Sequence, residues 1–413
     1  MSARDQSSLA APVSGNGLSP AAPAEDSLSS AHAQNSAFSW RETLAQAAYR
    51  TGALGFFAWV SQRYEIEPHS NKLLPAIRRV SQPKYMILCY HRVGTEGIPY
   101  YCTLHVAQFE MQMKFLREHF RVLSLGQLCD ELKNPRAEGN GVAITFDDGY
   151  SDLHTYALPI LRKYEIPATV YLTADCIETG EVAWYDRIFL ALQVAAGEAL
   201  ELPFAGGLRV ELGTPQQRIA DGAQIVSILR RTPAAERIRF CEALEHLVNL
   251  PAEKLSGRML TWQQVYEMRS AGIFFGSHTL SHPVLSQLPI EDVHKELRES
   301  RTILQQRLGE PVLDFAFPFG KPEDCGPVAE AAAARCGYRS AVTTTWGINT
   351  PGANMHALRR VQLGEERTAG KFGLQMHQAF FKVNEPLPLS AAPLSRNPSR
   401  SPDGVDAASW VQR

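Results

Sequence analysis

Short runs of apolar residues recur along the chain, and segments with helical spacing separate them. A run without polar alternation is typical of a strand that is buried on both faces of a sheet. The predicted strands are Tyr85–Tyr90, Gly141–Phe146, Ala168–Leu172, Ile273–Gly276, Leu313–Phe317 and Ser340–Thr343. Because these strands alternate with helices, the pattern predicts a mostly parallel sheet or barrel with helices outside it.

One long segment interrupts this alternation. Residues from 179 to about 258 are polar and mostly helical in pattern, and Ala234–Val248 is the clearest helix among them. We therefore predict an inserted helical subdomain. The other predicted helices are Phe109–Phe120, Tyr156–Tyr164, Trp262–Ala271, Ile290–Leu308 and Val328–Cys336.

The two ends of the chain differ in composition from its middle. Residues 1–37 are rich in Ala, Ser and Pro, and the tail 385–413 is rich in Pro and Ser, so we expect both to be disordered. Ser39–Glu42 fits a capping box and predicts a helical extension over 38–80. The main domain is then expected to cover 81–384.

Composition limits the location and partners of the protein. A net charge of −2 gives no electrostatic reason to expect a nucleic-acid partner. No signal peptide or membrane span is predicted, and we expect a cytoplasmic protein. The apolar patch Phe56–Trp59 could contact a membrane surface, although such patches more often dock on their own domain. The seven scattered cysteines are expected to be buried free thiols. The sequence gives no basis for predicting the oligomeric state.

Two adjacent carboxylates, Asp147 and Asp148, follow the predicted strand Gly141–Phe146. Successive side chains of a strand point to opposite faces, but a turn at the strand end, aided by Gly149, can bring both carboxylates into one cavity. Two close carboxylates repel each other unless a cation or a proton separates them, which suggests a metal. Taken alone, the Asp-Asp-Gly sequence is also typical of an ordinary turn.

Two histidines also follow a predicted strand. His278 and His282 come directly after Ile273–Gly276, and a spacing of four lets both imidazoles reach one ion. Carboxyl ends of parallel strands meet at one end of a sheet or barrel, so the histidines and the aspartate pair are expected to share a site. Two His and one Asp would leave positions open for water and substrate, as in a catalytic metal site.

A third segment, Phe315–Gly320, is an apolar strand that ends at Pro318. Its polar groups belong to the backbone, so the Phe319 amide could donate to a developing oxyanion. Alone, the segment would be an ordinary exit from a strand into a loop.

The three segments, in this order, resemble the polysaccharide deacetylases of carbohydrate esterase family 4, which share the NodB-homology domain. The resemblance covers about 85–365 and is strongest in 142–173 and 261–320. It implies a distorted, incomplete (β/α) barrel of the NodB-homology type, here with a helical insertion and disordered termini. It also implies that the metal, expected to be zinc, is bound by Asp148, His278 and His282. Asp147 would then be the catalytic base, and the Phe319 amide the oxyanion donor.

Two of the departures from the family pattern concern candidate catalytic residues. Ala316 stands where many members have an Arg that orients the base, and Arg360 is a candidate substitute. The late Leu-x-His segment that usually supplies the catalytic acid has no good match. His356 and His377 are candidate acids, each with the alternative of an ordinary loop or surface histidine, and His91 is a third.

The expected function is metal-dependent hydrolysis of N-acetyl groups from a polysaccharide or oligosaccharide, a carbon–nitrogen bond that is not a peptide bond. The metal would bind a water and the acetyl oxygen, Asp147 would take a proton from that water, and an acid would protonate the leaving amine. Two alternatives stay open: hydrolysis of another amide or ester, and a non-catalytic carbohydrate-binding or scaffolding relative.

Overall fold

In the computed structural model, the described residues are 46–49, 51, 64–67, 76–79, 82–95, 103–134, 139–202, 208–363 and 368–381. The strands are β1 (Tyr64–Glu67), β2 (Ala76–Arg79), β3 (Tyr85–Tyr90), β4 (Arg92–Gly94), β5 (Thr103–His105), β6 (Gly141–Phe146), β7 (Ala168–Leu172), β8 (Ala199–Leu202), β9 (Leu208–Glu211), β10 (Phe274–Ser277), β11 (Asp314–Ala316), β12 (Ser340–Trp346) and β13 (Leu358–Arg360). The helices are α1 (Val106–His119), α2 (Leu125–Lys133), α3 (Leu158–Lys163, preceded by a π-helical turn at Leu153–Ala157), α4 (Ala174–Thr179), α5 (Trp184–Val194), α6 (Pro215–Leu229), α7 (Ala234–Val248), α8 (Trp262–Ser270), α9 (Ile290–Leu308), α10 (Gly326–Arg335) and α11 (Ala369–Phe381).

Within the described residues, seven strands form one parallel sheet in the order β13-β12-β11-β10-β7-β6-β3. Strands β3, β6 and β7 are buried along their whole length, which explains their continuous apolar sequences. The helix α2 and the strand β13 were not predicted. Strand β13 is only three residues long and carries two arginines, so it gives no apolar run to recognise.

The two outer strands of the sheet also meet. Val361, directly after β13, donates its N–H to Ile87 O at 2.8 Å and accepts from Cys89 N at 3.0 Å. These bonds bring β13 against β3 and close the sheet into a barrel of seven strands, one fewer than a complete (β/α) barrel has. The predicted fold class, an incomplete (β/α) barrel, is confirmed.

The predicted insertion lies between β7 and β10. It contains helices α5, α6 and α7, and the last of these has the predicted bounds Ala234–Val248. Its strands β8 and β9 pair antiparallel and were not predicted. The insertion is therefore mostly helical, with one small hairpin.

The N-terminal extension differs from the prediction over 38–80. Residues 46–49 are helical, but β1 and β2 pair antiparallel, so the described part of the extension is not helical throughout. Tyr64–Glu67 alternates apolar and acidic residues, a period of two that favours a strand. The predicted disordered segments 1–37 and 385–413, and the patch Phe56–Trp59, lie outside the described residues.

The cysteines and the helix lengths also bear on predictions from the sequence. The described cysteines, Cys89, Cys129, Cys176, Cys241, Cys325 and Cys336, are buried and free, as predicted. Among the described helices, none is both long enough and apolar enough to cross a membrane.

Candidate active site

Five of the predicted site residues, Asp147, Asp148, His278, His282 and Phe319, gather at the carboxyl end of the barrel strands, around a cavity of about 260 Å³. Because all seven strands are parallel, the segments that follow β6, β10 and β11 emerge at the same end. From the barrel, the cavity is lined by His91, Asp147, Asp148, His278, His282 and Phe319. From the insertion, it is lined by Tyr185, Asp186 and Arg230.

The turn after β6 brings both aspartates to the cavity, as predicted. Asp148 has a φ of 72° and Gly149 a φ of 89°, so the chain reverses within two residues of the strand end. A Cβ at Gly149 would lie 2.7 Å from Leu172 Cδ2, so only glycine fits there. The left-handed backbone at Asp148 is a strained conformation that the surrounding fold imposes.

Asp148, His278 and His282 form a compact set of potential metal ligands, named here the ligand cluster. Nε2 of His278 lies 3.5 Å, and Nε2 of His282 3.4 Å, from Asp148 Oδ1. Ligand atoms about 2.0–2.1 Å from a tetrahedral zinc stand about 3.4 Å apart. The spacing of the ligand cluster therefore fits one tetrahedral ion.

The protonation states also suit a cation. Burial and the neighbouring Asp147 raise the pKa of Asp148 well above its usual value. Burial lowers the pKa of His278 to about 4 and that of His282 well below its usual value, so both imidazoles are neutral. His278 Nδ1 lies 2.8 Å from Ala316 O, so this nitrogen carries the proton and Nε2 presents its lone pair. A divalent ion would compensate the Asp148 carboxylate and accept these lone pairs.

Asp147 occupies a different environment from Asp148. Arg360, at the end of β13, donates from its two terminal nitrogens to the two oxygens of Asp147, each at 2.7 Å. Burial opposes the Asp147 charge, but the Arg360 guanidinium outweighs it and holds the pKa of Asp147 well below its usual range. Arg360 thus occupies the position predicted for a substitute of the missing arginine.

The loop after β11 brings Phe319 to the cavity. Phe319 has a φ of 58°, and its carbonyl accepts a hydrogen bond from Thr344 Oγ1 at 2.6 Å. The Phe319 ring packs edge-on against His282, with centroids 5.0 Å apart. Within the described part of the chain we find no hydrogen-bond partner for the Phe319 amide, which leaves this donor for a ligand.

Two of the three candidate acids are far from the cavity, and these predictions are wrong. His356 precedes β13 and bonds through Nε2 to the carbonyl of Tyr338, which precedes β12, so it lies at the amino end of the strands. His377 is buried on α11, and its ring lies 6.2 Å from that of Phe120, at the end of α1. The chain brings both histidines to the wrong end of the barrel.

His91, the third candidate, lines the cavity. Its Nε2 lies 3.9 Å from Asp147 Oδ2, and about a quarter of its side chain is exposed. Cys89, His91 and Asp147 are also close enough to form a second possible ligand set. Arg360 already occupies both oxygens of Asp147, so this second set is the poorer metal site.

The contribution of the insertion was not predicted residue by residue. The Tyr185 ring packs 4.9 Å from His282, and Arg230 lies 4.3 Å above the Phe319 ring and pairs with Asp324. No motif marks these residues, because each lies in or next to a helix of ordinary composition.

Comparisons with known proteins agree with the geometry of the site. A family model described as polysaccharide deacetylase matches residues 134–341, just over half of the chain. YxkH of Bacillus subtilis, a protein assigned to the polysaccharide deacetylases, is 22% identical over 72% of this chain and 77% of its own length. The poly-beta-1,6-N-acetyl-D-glucosamine N-deacetylase of Staphylococcus aureus is 37% identical, but the match spans only 16% of this chain and 23% of that protein.

Solved structures of similar proteins include the Streptococcus pyogenes deacetylase PplD. Its sequence identity is 20% and its TM-score 0.49, over 74% of this chain and 100% of that chain. IcaB from Ammonifex degensii has 19% identity and a TM-score of 0.48, over 72% of this chain and 97% of that chain.

The match of the family model includes the turn with Asp147 and Asp148, the two histidines and the Phe315–Gly320 segment. It confirms both the resemblance and the enzyme class predicted from the sequence, a hydrolase of carbon–nitrogen bonds other than peptide bonds. The chain belongs to the polysaccharide deacetylase family.

Proposed function

We propose that this protein is a metal-dependent deacetylase that removes N-acetyl groups from a saccharide. The observation that carries the proposal is the pairing of two carboxylates with different partners. Asp148 lies with His278 and His282 in the ligand cluster, whereas Asp147 is held ionised by Arg360. Asp148 is thus available to bind an ion, and Asp147 is available to accept a proton.

The ligand cluster would hold the ion, and zinc suits its two imidazoles and one carboxylate. A divalent ion in this position, when bound, would lower the pKa of a water and polarise an acyl carbonyl. Asp147 is the general base that takes the proton of the attacking water. The Phe319 amide donates to the oxyanion that develops on the acyl oxygen.

His91 replaces His356 and His377 as the proposed acid. It lines the cavity and is not part of the ligand cluster. Burial lowers the pKa of His91 and outweighs the Asp147 carboxylate, which raises it, so protonation of His91 depends on the charge present at the site. Protonated His91 would donate to the leaving amine, which is a poor leaving group without that proton.

The saccharide substrate rests on family membership and on the hydrogen-bonding side chains among the residues that line the cavity. Hydrolysis of another amide or ester is the second candidate. The proposed base and oxyanion donor act on the acyl group of the substrate, whichever amine or alcohol carries that group. The identity of the metal as zinc, a cytoplasmic location and the disorder of residues 1–37 and 385–413 stay predictions from the sequence.

Acetate release from a panel of N-acetylated oligosaccharides and simple esters tests the proposal. Asp147→Asn should retain stoichiometric metal but lose at least about 100-fold in turnover, a typical general-base contribution. His278→Ala with His282→Ala should lose the metal, measured by elemental analysis of the dialysed protein.

Asp314→Asn is the matched control for Asp147→Asn. Asp314 is a buried carboxylate that Arg339 binds through two hydrogen bonds, and it begins β11 at the opposite end of the barrel. Both substitutions remove the negative charge that pairs with an arginine, but only Asp147→Asn should lower turnover at least about 100-fold. Equal acetate release by Asp147→Asn and the wild type would refute the mechanism. Absence of acetate release by the metal-loaded wild type on every substrate would refute the function.

A further inference from the structure

Asp186 is a buried carboxylate in the cavity to which the proposed mechanism gives no role. It lies in the first turn of α5, at the start of the insertion, and is 5% exposed. It lines the same cavity as Asp147 and Asp148. It belongs neither to the ligand cluster nor to the pair formed by Asp147 and Arg360.

One oxygen of Asp186 is fixed by the barrel. The Tyr150 hydroxyl donates to Asp186 Oδ2 at 2.7 Å. The Tyr150 ring is held in turn by Arg92, whose guanidinium lies 4.6 Å from the ring centroid and whose Nε donates to Asp152 at 2.7 Å. This network fixes the orientation of the Asp186 carboxylate.

The other oxygen of Asp186 is available. Within the described residues no hydrogen bond to Asp186 Oδ1 is found, although the side chain is buried at the wall of the cavity. Binding one tyrosine hydroxyl does not require a carboxylate, because the amide oxygen of Asn or Gln would accept the same bond at a lower desolvation cost. A second, external donor would account for the choice of an acid at this position.

The ligand that suits this oxygen carries hydroxyl groups. Burial raises the pKa of Asp186 to about 6, so the carboxylate is ionised above that pH. It then accepts hydrogen bonds and donates none, which favours hydroxyl donors over carbonyl groups. The adjacent residue, Tyr185, packs its ring 4.9 Å from His282 of the ligand cluster. A sugar whose acetyl group lies at the ligand cluster would therefore have its ring beside this wall of the insertion.

We propose that Asp186 binds a ring hydroxyl of the saccharide and thereby makes the insertion a determinant of substrate specificity. This inference rests on the proposed deacetylase function. Because Asp186 touches the sugar and not the acyl carbon, it should matter for saccharides and not for a small ester that has no hydroxyl group.

The test compares two substrates in one variant. Asp186→Asn keeps an acceptor for Tyr150 but removes the charge that a sugar hydroxyl would meet. A hydrogen bond to a charged group contributes about 1.5–3 kcal/mol, so kcat/KM for an N-acetylated oligosaccharide should fall about 10- to 100-fold, mainly through KM. The kcat/KM for 4-nitrophenyl acetate and the stoichiometry of bound zinc should stay at wild-type values.

Glu245→Gln is the control for a loosened insertion. Glu245 on α7 pairs with Arg187 of α5 and does not line the cavity. The Glu245→Gln variant should hydrolyse both substrates with wild-type kcat/KM. A parallel loss of activity on both substrates in Asp186→Asn, or unchanged KM for the oligosaccharide, would overturn the inference. A wild-type protein that releases no acetate from the oligosaccharide would instead overturn the proposed function.

Discussion

Asp147 and Asp148 are neighbours in sequence, yet their chemistry differs because their partners differ. Asp147 has the Arg360 guanidinium at 2.7 Å on each oxygen, and its pKa is lowered. Asp148 has two neutral imidazoles and no cationic partner among the described residues, and its pKa is raised. Two adjacent residues of the same type therefore differ in chemistry: Asp147 is held ionised, and Asp148 is a candidate metal ligand.

The raised pKa of Asp148 predicts a pH-dependent stability of the metal-free protein. Its pKa in the fold exceeds its unfolded value, so its neutral form stabilises the fold at low pH. That contribution is lost as the pH rises through the raised pKa. Asp148→Asn cannot ionise, so in chelator its melting temperature should exceed that of the wild type at pH 8. The difference should shrink towards pH 4.

Thermal denaturation at both pH values, with chelator and with zinc, checks this prediction. Added zinc should reverse the order, because only the wild type retains all three ligands and is stabilised by the bound ion. A difference in melting temperature that is the same at pH 4 and pH 8 would show that Asp148 does not titrate as described.

At the scale of elements, the connection from β10 to α9 carries both histidines of the ligand cluster. Thr279 and His282 have φ values of 67° and 56°, a conformation that costs free energy and must be imposed by neighbours. Glu296 on α9 accepts from the N–H groups of Leu280 at 2.9 Å and Ser281 at 3.0 Å, and from Ser281 Oγ at 2.7 Å. Helix α9 thus fixes the loop that holds the histidines.

We predict that Glu296→Ala weakens zinc binding about 10- to 100-fold, as loss of residues that support metal ligands does. Turnover should recover when zinc is in excess, because the ligands themselves remain. Competition with a chromogenic chelator measures the affinity. Glu299→Ala, which removes an exposed carboxylate from the same helix, is the control and should bind zinc normally. Unchanged zinc affinity in Glu296→Ala would show that the loop keeps its shape without α9.

At the scale of the whole molecule, closure of the barrel assembles the site. Asp147 follows β6 and Arg360 ends β13, and 213 residues separate them in the sequence. Both are almost fully buried, Arg360 at 1% exposure and Asp147 at 2%. The ion pair exists only because β13 returns to lie against β3.

Loss of one partner of this ion pair should destabilise the fold more than loss of both partners. Arg360→Met leaves the Asp147 charge buried without compensation, and we expect a loss of about 3–5 kcal/mol in the free energy of unfolding. Adding Asp147→Asn to Arg360→Met should restore part of that loss, because no buried charge then remains. Urea denaturation of the two single variants and the double variant measures this coupling. Strictly additive losses would contradict a direct interaction between the two side chains.

Features that depend on local order could be predicted from the sequence. The buried strands β3, β6 and β7 and the helices α7 and α9 have the predicted bounds, because continuous apolar runs and helical periodicity are local signals. The residues after β6, β10 and β11 were predicted to share a site, because parallel strands place their carboxyl ends together. The family resemblance rests on the same three segments.

The distant groups that complete the site could not be identified without the folded structure. His356, His377 and His91 are equivalent as isolated histidines, and the fold brings only His91 to the cavity. Strand β13 was too short to predict, so the contact of Arg360 with Asp147 could be no more than a hypothesis. Asp186 and Tyr185 lie on a helix of ordinary composition, and they reach the cavity because the insertion folds back onto the barrel. Such contacts depend on where the chain returns in space, which no local pattern of residues encodes.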